Sequence, residues 1–206
     1  PRVLPFINVS FPGIFAFSAE VMVGECQDIR LLNASECVRV ARDHADIVVG
    51  VKVRVGQGAS GANGIAPLDI AIECAEELGL PVMAHLDLPP PSRQDVLSRL
   101  RAGDILTHCF RSFPNSPATA SGAVREEVWA ARERGVLFDI GHGKGSFGFG
   151  TGRAMLANGF MPDCISSDVH TLSIVGPAFD LLVTMSKFLC LGMPLVEVIR
   201  AATIAP

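Results

Sequence analysis

Hydrophobic positions along the chain change period in a repeating way. Runs nearly continuous in aliphatic and β-branched residues alternate with stretches in which apolar residues recur every three or four positions. Val3 to Ser10 reads as a strand. Asn33 is placed to cap a helix to about Asp43, with Glu36 completing a capping box. Ile47 to Val55 is the strongest strand, continuous as expected when both faces are covered. A helix from about Pro67 to Leu78 carries Leu68, Ala71, Ile72, Ala75 and Leu78 on one stripe and stops at Gly79. The cycle repeats with a strand at Pro81 to Leu86, a helix from Ser92 to Arg101, and a strand at Asp104 to Phe110. A helix at Val124 to Arg134, a strand at Val136 to Ile140, a helix at Gly150 to Asn158 and a strand at Cys164 to Asp168 follow. Helices near Phe179 to Cys190 and Leu195 to Ala202 close the chain. Successive strands roughly 25 to 35 residues apart leave room for right-handed crossovers with a helix. The pattern predicts an α/β fold with parallel strands.

Two arrangements satisfy it, an open doubly wound sheet and a (β/α)₈ TIM barrel. Lys52, His85, His108, Asp139 and Asp168 each fall at or near the C-terminal end of a different predicted strand. In a barrel those ends converge on one mouth. An open sheet instead focuses a ligand at one switch point, commonly with a glycine-rich phosphate loop. The candidate loop, Gly56-Gln57-Gly58 with Gly61 and Gly64, lacks both the dinucleotide spacing and the Lys-Ser or Lys-Thr of a phosphate loop. The barrel is the preferred expectation. Six strands are predicted where a closed parallel barrel has eight.

Composition narrows the function classes. Charged residues make up 18% of the 206 and hydrophobic ones 49%, which excludes disorder. Seventeen Lys and Arg against 21 Asp and Glu give a net charge of -4, so no basic field exists for nucleic acid or an anionic membrane surface. The most apolar tail, Pro177 to Val198, is interrupted by Asp180, Lys187, Gly192, Pro194 and Glu197 and does not read as a span. The six cysteines (Cys26, Cys37, Cys74, Cys109, Cys164 and Cys190) contain no CxxC. They read as buried thiols of a cytoplasmic, reducing compartment, with a disulfide framework as the weaker alternative.

The polar residues at strand ends carry the candidate chemistry. His85 and His108 each sit where an apolar run turns polar, with Asp168 two strands further on, and imidazole and carboxylate are normal ligands of divalent ions. A lone histidine in such a place is more often satisfied by local hydrogen bonds. Lys52 interrupts an apolar strand, where a buried ammonium is costly unless paired. It is either a snorkelling lysine or an amine that has reacted with carbon dioxide to form an anionic carbamate able to bridge metals. Arg54 points to the same strand face as Lys52. Asp168, in Ser166-Ser167-Asp168-Val169-His170, suits a metal ligand that also takes a proton from water. His142 is a candidate substrate contact or partner of a metal ligand, and Asp139 either orients it or caps the loop.

These phrases carry a resemblance. Val51-Lys52-Val53-Arg54, Pro81-Val82-Met83-Ala84-His85, Gly103-Asp104-Ile105-Leu106-Thr107-His108-Cys109-Phe110, Phe138-Asp139-Ile140-Gly141-His142-Gly143, Ser166-Ser167-Asp168-Val169-His170 and Thr184-Met185-Ser186-Lys187-Phe188-Leu189 resemble the dihydroorotase-like amidohydrolase/deacetylase branch of the amidohydrolase superfamily. The resemblance implies a TIM barrel of metal-dependent hydrolase type, present here as strands three to eight. It implies two divalent ions, zinc by expectation, bridged by N-carboxylated Lys52. It assigns His85 and His108 to the more exposed metal, and Asp168 to the buried metal and to the proton of the bridging hydroxide. Arg54 and His142 are the candidates for holding the substrate. The function it implies is hydrolysis of an amide or ester bond in a small carboxylate-bearing molecule, an N-acyl amino acid or an acylated 2-hydroxy acid. Dihydroorotase-like ring opening or adenine-type deamination is the alternative within enzymes, and an inert fragment or scaffold the alternative outside them. The expected partners are a small-molecule substrate and further copies of the chain, with no nucleic acid and no membrane.

The family's strand-one His-x-His is not in this sequence, whose histidines are His44, His85, His108, His142 and His170. Residues 1–206 therefore read as a partial barrel domain without the N-terminal strands and the small β-domain. Such a sector leaves sheet edges unpaired, so the chain expressed alone is expected to be insoluble or to associate non-specifically. A monodisperse, active monomer with a cooperative thermal transition would overturn that expectation.

Overall fold

A computed structural model describes residues 2–206, which fall into two compact units meeting at Ile105 and Leu106. The first unit contains β1 (Phe6–Asn8), α1 (Ala34–Asp43), β2 (Gly50–Val55), α2 (Ala66–Leu78), β3 (Val82–Leu86) and α3 (Arg93–Arg99), and β4 (Ile105–Leu106) lies at the junction. β1, β2 and β3 pair in parallel and in chain order. The register sets Asn8 opposite Lys52, Lys52 opposite Met83 and Arg54 opposite His85. Paired residues of parallel strands share a face and successive residues alternate. One face of β2 therefore presents Lys52 and Arg54, and the other presents Val51, Val53 and Val55, all fully buried. That second face receives α2, whose buried stripe is Leu68, Ala71 and Ala75. The helix ends at Gly79, whose φ of +65° is left-handed as a glycine cap requires.

Local capping follows the sequence in one helix and departs from it in another. The Asn33 side chain accepts from the Glu36 N–H at 3.0 Å, but the Glu36 carboxylate turns to Arg39 at 2.9 Å instead of returning to Asn33. Only half of the expected box forms there, because a charged partner on the next turn competes for the same oxygen. The complete box belongs to Ser92 and Asp95 at the start of α3. A buried carboxylate that the pattern did not single out also fixes this unit. Asp104 accepts from Val82 N at 2.8 Å and Arg101 N at 2.7 Å, and its ion pair with Arg101 measures 2.9 Å.

The second unit contains α4 (Glu126–Glu133), β5 (Leu137–Phe138), α5 (Phe149–Ala157), α6 (Leu181–Cys190) and α7 (Leu195–Thr203). Its strands are shorter than predicted. The run Asp104 to Phe110 is extended only at Ile105–Leu106, because Thr107 gives its hydroxyl to Asp139 (2.6 Å) and His108 turns to a φ of +61°. An extended ladder cannot continue through a left-handed residue. Cys164 to Asp168 is reduced to one parallel bridge, Asp139 to Cys164. The contact then continues as single hydrogen bonds from Ile140, His142 and Gly143 N–H to the carbonyls of Cys164, Ser166 and Ser167. On its other side the Ile165 N–H reaches a carbonyl of α7, that of Ala201 at 2.9 Å.

Aromatic packing centres this unit on Phe160. Phe138 and Trp129 meet its ring edge-on, each with centroids 5.0 Å apart, and the Arg132 guanidinium lies 3.9 Å from its centroid. All six cysteines are free thiols. Cys26, Cys37, Cys74 and Cys109 are buried as expected, Cys164 is half-buried, and Cys190 is exposed on the outer side of α6 instead. Among the described residues no helix is long and apolar enough to cross a membrane.

Asp104 provides the stability test. Asp104→Ala removes the acceptor of two backbone N–H groups and of Arg101 together. It is expected to lower the unfolding free energy by about 3 kcal/mol in denaturant titration, the usual loss when one member of a buried ion pair is deleted. A change below about 1 kcal/mol, the size of an exposed-pair effect, would contradict this account of Asp104.

Candidate functional site

In the second unit the backbone from Gly141 to Gly143 forms a turn held from both sides. Its three consecutive N–H groups are all taken: Gly141 N–H by Ser166 Oγ at 3.0 Å, His142 N–H by the Ser166 carbonyl at 3.1 Å, and Gly143 N–H by the Ser167 carbonyl at 3.0 Å. Two of its carbonyls are used as well. The Gly141 carbonyl lies 2.6 Å from His108 Nδ1, and the Gly143 carbonyl lies 2.9 Å from His142 Nδ1. A carbonyl can only accept, so each ring carries a proton on Nδ1.

The turn can come this close because it has no side chains at its two ends. A Cβ on Gly141 would collide with Thr107 Oγ1 and lie 2.7 Å from His108 Nδ1, and one on Gly143 would lie 2.5 Å from Asp168 Oδ2. Both glycines also have left-handed φ, +45° and +51°. His108 and Asp168 themselves have φ of +61° and +44°, two of the five such non-glycine residues among the described residues. Each such residue costs about 1–3 kcal/mol, and strain of this kind collects at functional sites. Buried Ser173 secures the chain after Asp168, donating to the Asp168 carbonyl at 3.2 Å and accepting from His170 N–H at 3.0 Å.

His142 is buried and stacked on Phe147 at 4.9 Å between centroids. Its Nε2 lies 2.7 Å from Lys187 Nζ, which also donates to the Pro177 carbonyl at 2.5 Å. The ammonium must be the donor there, so His142 is neutral. Burial moves its pKa below the ordinary 6.5 and the neighbouring Lys187 charge lowers it further, with the Gly143 carbonyl opposing. Both ring nitrogens of His142 are thus engaged within the protein. The sequence had shown Lys187 as an interruption of the apolar tail and as part of a family phrase, with no role of its own, and its signal was a single charge within the otherwise uncharged α6. Asp139 accepts from Thr107 and so serves the start of the turn, while Lys144 is exposed.

In the first unit Asn8, Lys52, Arg54, Met83 and His85 share one face of the sheet. His85 is buried, with Nε2 3.9 Å from Asp87 Oδ2. Asp87 in turn accepts from the N–H groups of Gly58 (3.2 Å) and Ala59 (3.0 Å), which ties the loop after β2 to the end of β3. Arg54 is paired with fully buried Glu25 at 3.0 Å. Glu25 had no local signal: it lies 29 residues from Arg54, in the loop after β1.

Among the described residues no three of His, Cys, Asp and Glu are gathered closely enough to hold a metal by themselves. Lys52 would offer oxygen donors only once carboxylated. The donor chemistry of His108 nevertheless fits a divalent ion, since a ligating imidazole characteristically gives its other N–H to a carbonyl.

No protein-family profile matches the chain. Individual proteins do. The chain is 34% identical over 208 residues to a protein named deacetylase from Enterococcus faecalis, an alignment covering 100% of this chain and 55% of the relative. It is 34% identical over 209 residues to deacetylases from Brucella anthropi and Agrobacterium fabrum, covering 100% of the chain and 50% of each. Its structure is similar to one described as a dihydroorotase, with a TM-score of 0.89, 33% identity, and coverage of 100% of this chain and 53% of the other. A structure described as an adenine deaminase gives a TM-score of 0.90 at 33% identity, covering 99% and 55%. The chain spans about half the length of these relatives. It has the parallel α/β fold of part of a (β/α)₈ barrel, as the strand-end polar residues led us to expect.

The contact of Gly143 with Asp168 gives a direct test. On the expectation that Asp168 acts in catalysis, Gly143→Ala in the full-length protein should reduce kcat/KM at least tenfold, with a stability loss of about 1–3 kcal/mol from the left-handed φ. Activity within about twofold of wild type would show that Asp168 does not need this approach.

Proposed function

We propose, for a chain that belongs to the amidohydrolase superfamily in its dihydroorotase-like deacetylase branch, that the whole protein is a metal-dependent hydrolase. It cleaves an amide or ester bond in a small carboxylate-bearing substrate, of the N-acyl amino acid or acylated 2-hydroxy acid kind. The observation that supports the reading best is the state of His108: left-handed, with Nδ1 committed to the Gly141 carbonyl, as in a ligating imidazole. The names of the relatives add deacetylation as the reaction class. Dihydroorotase-like or adenine-type ring chemistry is the second reading, favoured by the descriptions of the two similar structures.

Lys52 as its carbamate, His85, His108 and Asp168 are the proposed ligands of two divalent ions, zinc in this reading. Bound there, the ions would supply an acidified water and a Lewis acid for the scissile carbonyl. Asp168 accepts the proton of the attacking water and returns it to the leaving nitrogen or oxygen. Its left-handed backbone and the Ser173 contact hold that carboxylate in place between the two transfers. His142, neutral and with both ring nitrogens engaged by Gly143 and Lys187, meets the substrate with its ring and not by a hydrogen bond, and Arg54 takes the carboxylate because its fork matches two oxygens. The six free thiols support a cytoplasmic setting. Exposed Leu182, Leu195, Val196 and Ile199 on α6 and α7 support burial against another chain, a homo-oligomer in this reading, with no role for nucleic acid or membrane.

A hydrolysis panel on the full-length protein tests this reading, pairing each N-acetyl amino acid with its amide-capped counterpart. Capping the carboxylate should lower kcat/KM at least about tenfold, since a charged hydrogen bond is worth roughly 1.5 to 3 kcal/mol. Equal rates for both forms, or faster turnover of dihydroorotate or adenine, would replace it with the second reading.

A further inference from the structure

The Glu25 side chain is 0% exposed, yet it makes little use of its burial. Oε2 accepts from Arg54 Nη1 at 3.0 Å, while Oε1 is buried with no hydrogen-bond partner among the described residues. Burial pushes its carboxyl pKa up, with the Arg54 charge the main opposing influence. A buried ion pair whose members share one hydrogen bond, with only the Glu25 backbone, Asn8 and the Lys52 charge adding to it, is a poor stabilising device, because packed apolar residues of similar volume do as well or better. Its presence needs another reason.

The surroundings of Arg54 supply one. Its guanidinium lies 5.2 Å from the centroid of Phe17, so a ring holds one face while Glu25 holds one corner. The side chain is 11% exposed, close enough to the surface of its face to meet a ligand. The corner that Glu25 takes is Nη1, which leaves Nε and Nη2, the side-on pair whose spacing matches the two oxygens of a carboxylate. The strand register puts this edge beside His85 and on the face that carries Lys52.

We propose that Glu25 is a positioning residue: it fixes the Arg54 fork for a substrate carboxylate and thereby sets the preference for acids over neutral substrates. The proposal rests on the carboxylate-bearing substrate of the preceding subsection. Without Glu25 a long flexible arginine would sample several rotamers, and the acid would have to order it on binding.

The test compares N-acetylalanine with N-acetylalanine amide in full-length wild type, Glu25→Gln, Arg54→Gln and the double variant. In Glu25→Gln the preference for the acid should fall at least about fivefold, carried by KM more than kcat, as expected when binding and not chemistry is disturbed. Arg54→Gln should lower it at least as much. Adding Glu25→Gln to Arg54→Gln should change the preference no further, because Glu25 acts through Arg54. Binding of N-acetylalanine to the metal-stripped proteins, followed by calorimetry, should weaken in the same order without any turnover. A Glu25→Gln protein that keeps the wild-type preference, or effects that add fully in the double variant, would overturn the role of Glu25. A wild type that treats acid and amide alike would instead overturn the substrate class. If Glu25→Gln does not fold, Glu25→Asp, which keeps the charge but draws it back from Arg54 by one methylene, should lower the same preference; an unchanged preference there would equally overturn the proposal.

Discussion

The backbone of Gly141 to Gly143 approaches His108 and Asp168 more closely than any residue with a Cβ could. Much else in the second unit follows from that approach. His108 gives its Nδ1 proton to the Gly141 carbonyl, which fixes the ring and its tautomer. Asp168 lies over Gly143, and the chain around it stays left-handed because Ser173 holds its carbonyl and Ser166 and Ser167 hold the turn. Strain at two residues persists because several hydrogen bonds over-determine it. The short strands are a consequence: a ladder that must bring His108 and Asp168 round to meet a turn cannot remain extended.

The first unit solves a related problem by register. Parallel pairing places Lys52, Arg54 and His85 on one face while Val51, Val53 and Val55 pack toward α2. Polar side chains in such a place need partners from outside the strands. The loop after β1 supplies Glu25, and the end of β3 supplies Asp87, which gathers two N–H groups of the loop after β2. Charge is thus placed on loops and direction on strands, the division expected when a sheet carries a site at its strand ends.

Much of this was legible in the sequence, and the reasons for the rest are local. Alternation and helical period located each α-helix of the described residues, though not the short 3-10 helices at Ile29–Leu31 and Gly61–Asn63, and the caps at Asn33, Ser92 and Gly79 set their ends closely. Strand lengths were overestimated because apolar runs such as Asp104 to Phe110 continue past the point where His108 leaves the extended region, and hydrophobicity does not encode φ. The sequence sets glycines on both sides of His142, but nothing local shows that their backbone meets His108 and Asp168. Lys187 stood out as a lone charge in α6, yet its partner is 45 residues away. Glu25 and Asp104 were invisible for the same reason: an isolated carboxylate acquires its role from contacts that only the fold creates.

The central claim is that His108 offers Nε2, and Asp168 a carboxylate, to a catalytic divalent ion. Anomalous diffraction from crystals of the full-length protein loaded with zinc tests it most directly. The account requires a peak about 2.0 to 2.2 Å from His108 Nε2, the normal zinc–imidazole distance, with a second ligand atom from the Asp168 carboxylate in the same centre and Nδ1 still bonded to Gly141. Zinc at Nδ1, or fully loaded protein with no peak at His108 or Asp168, would contradict it.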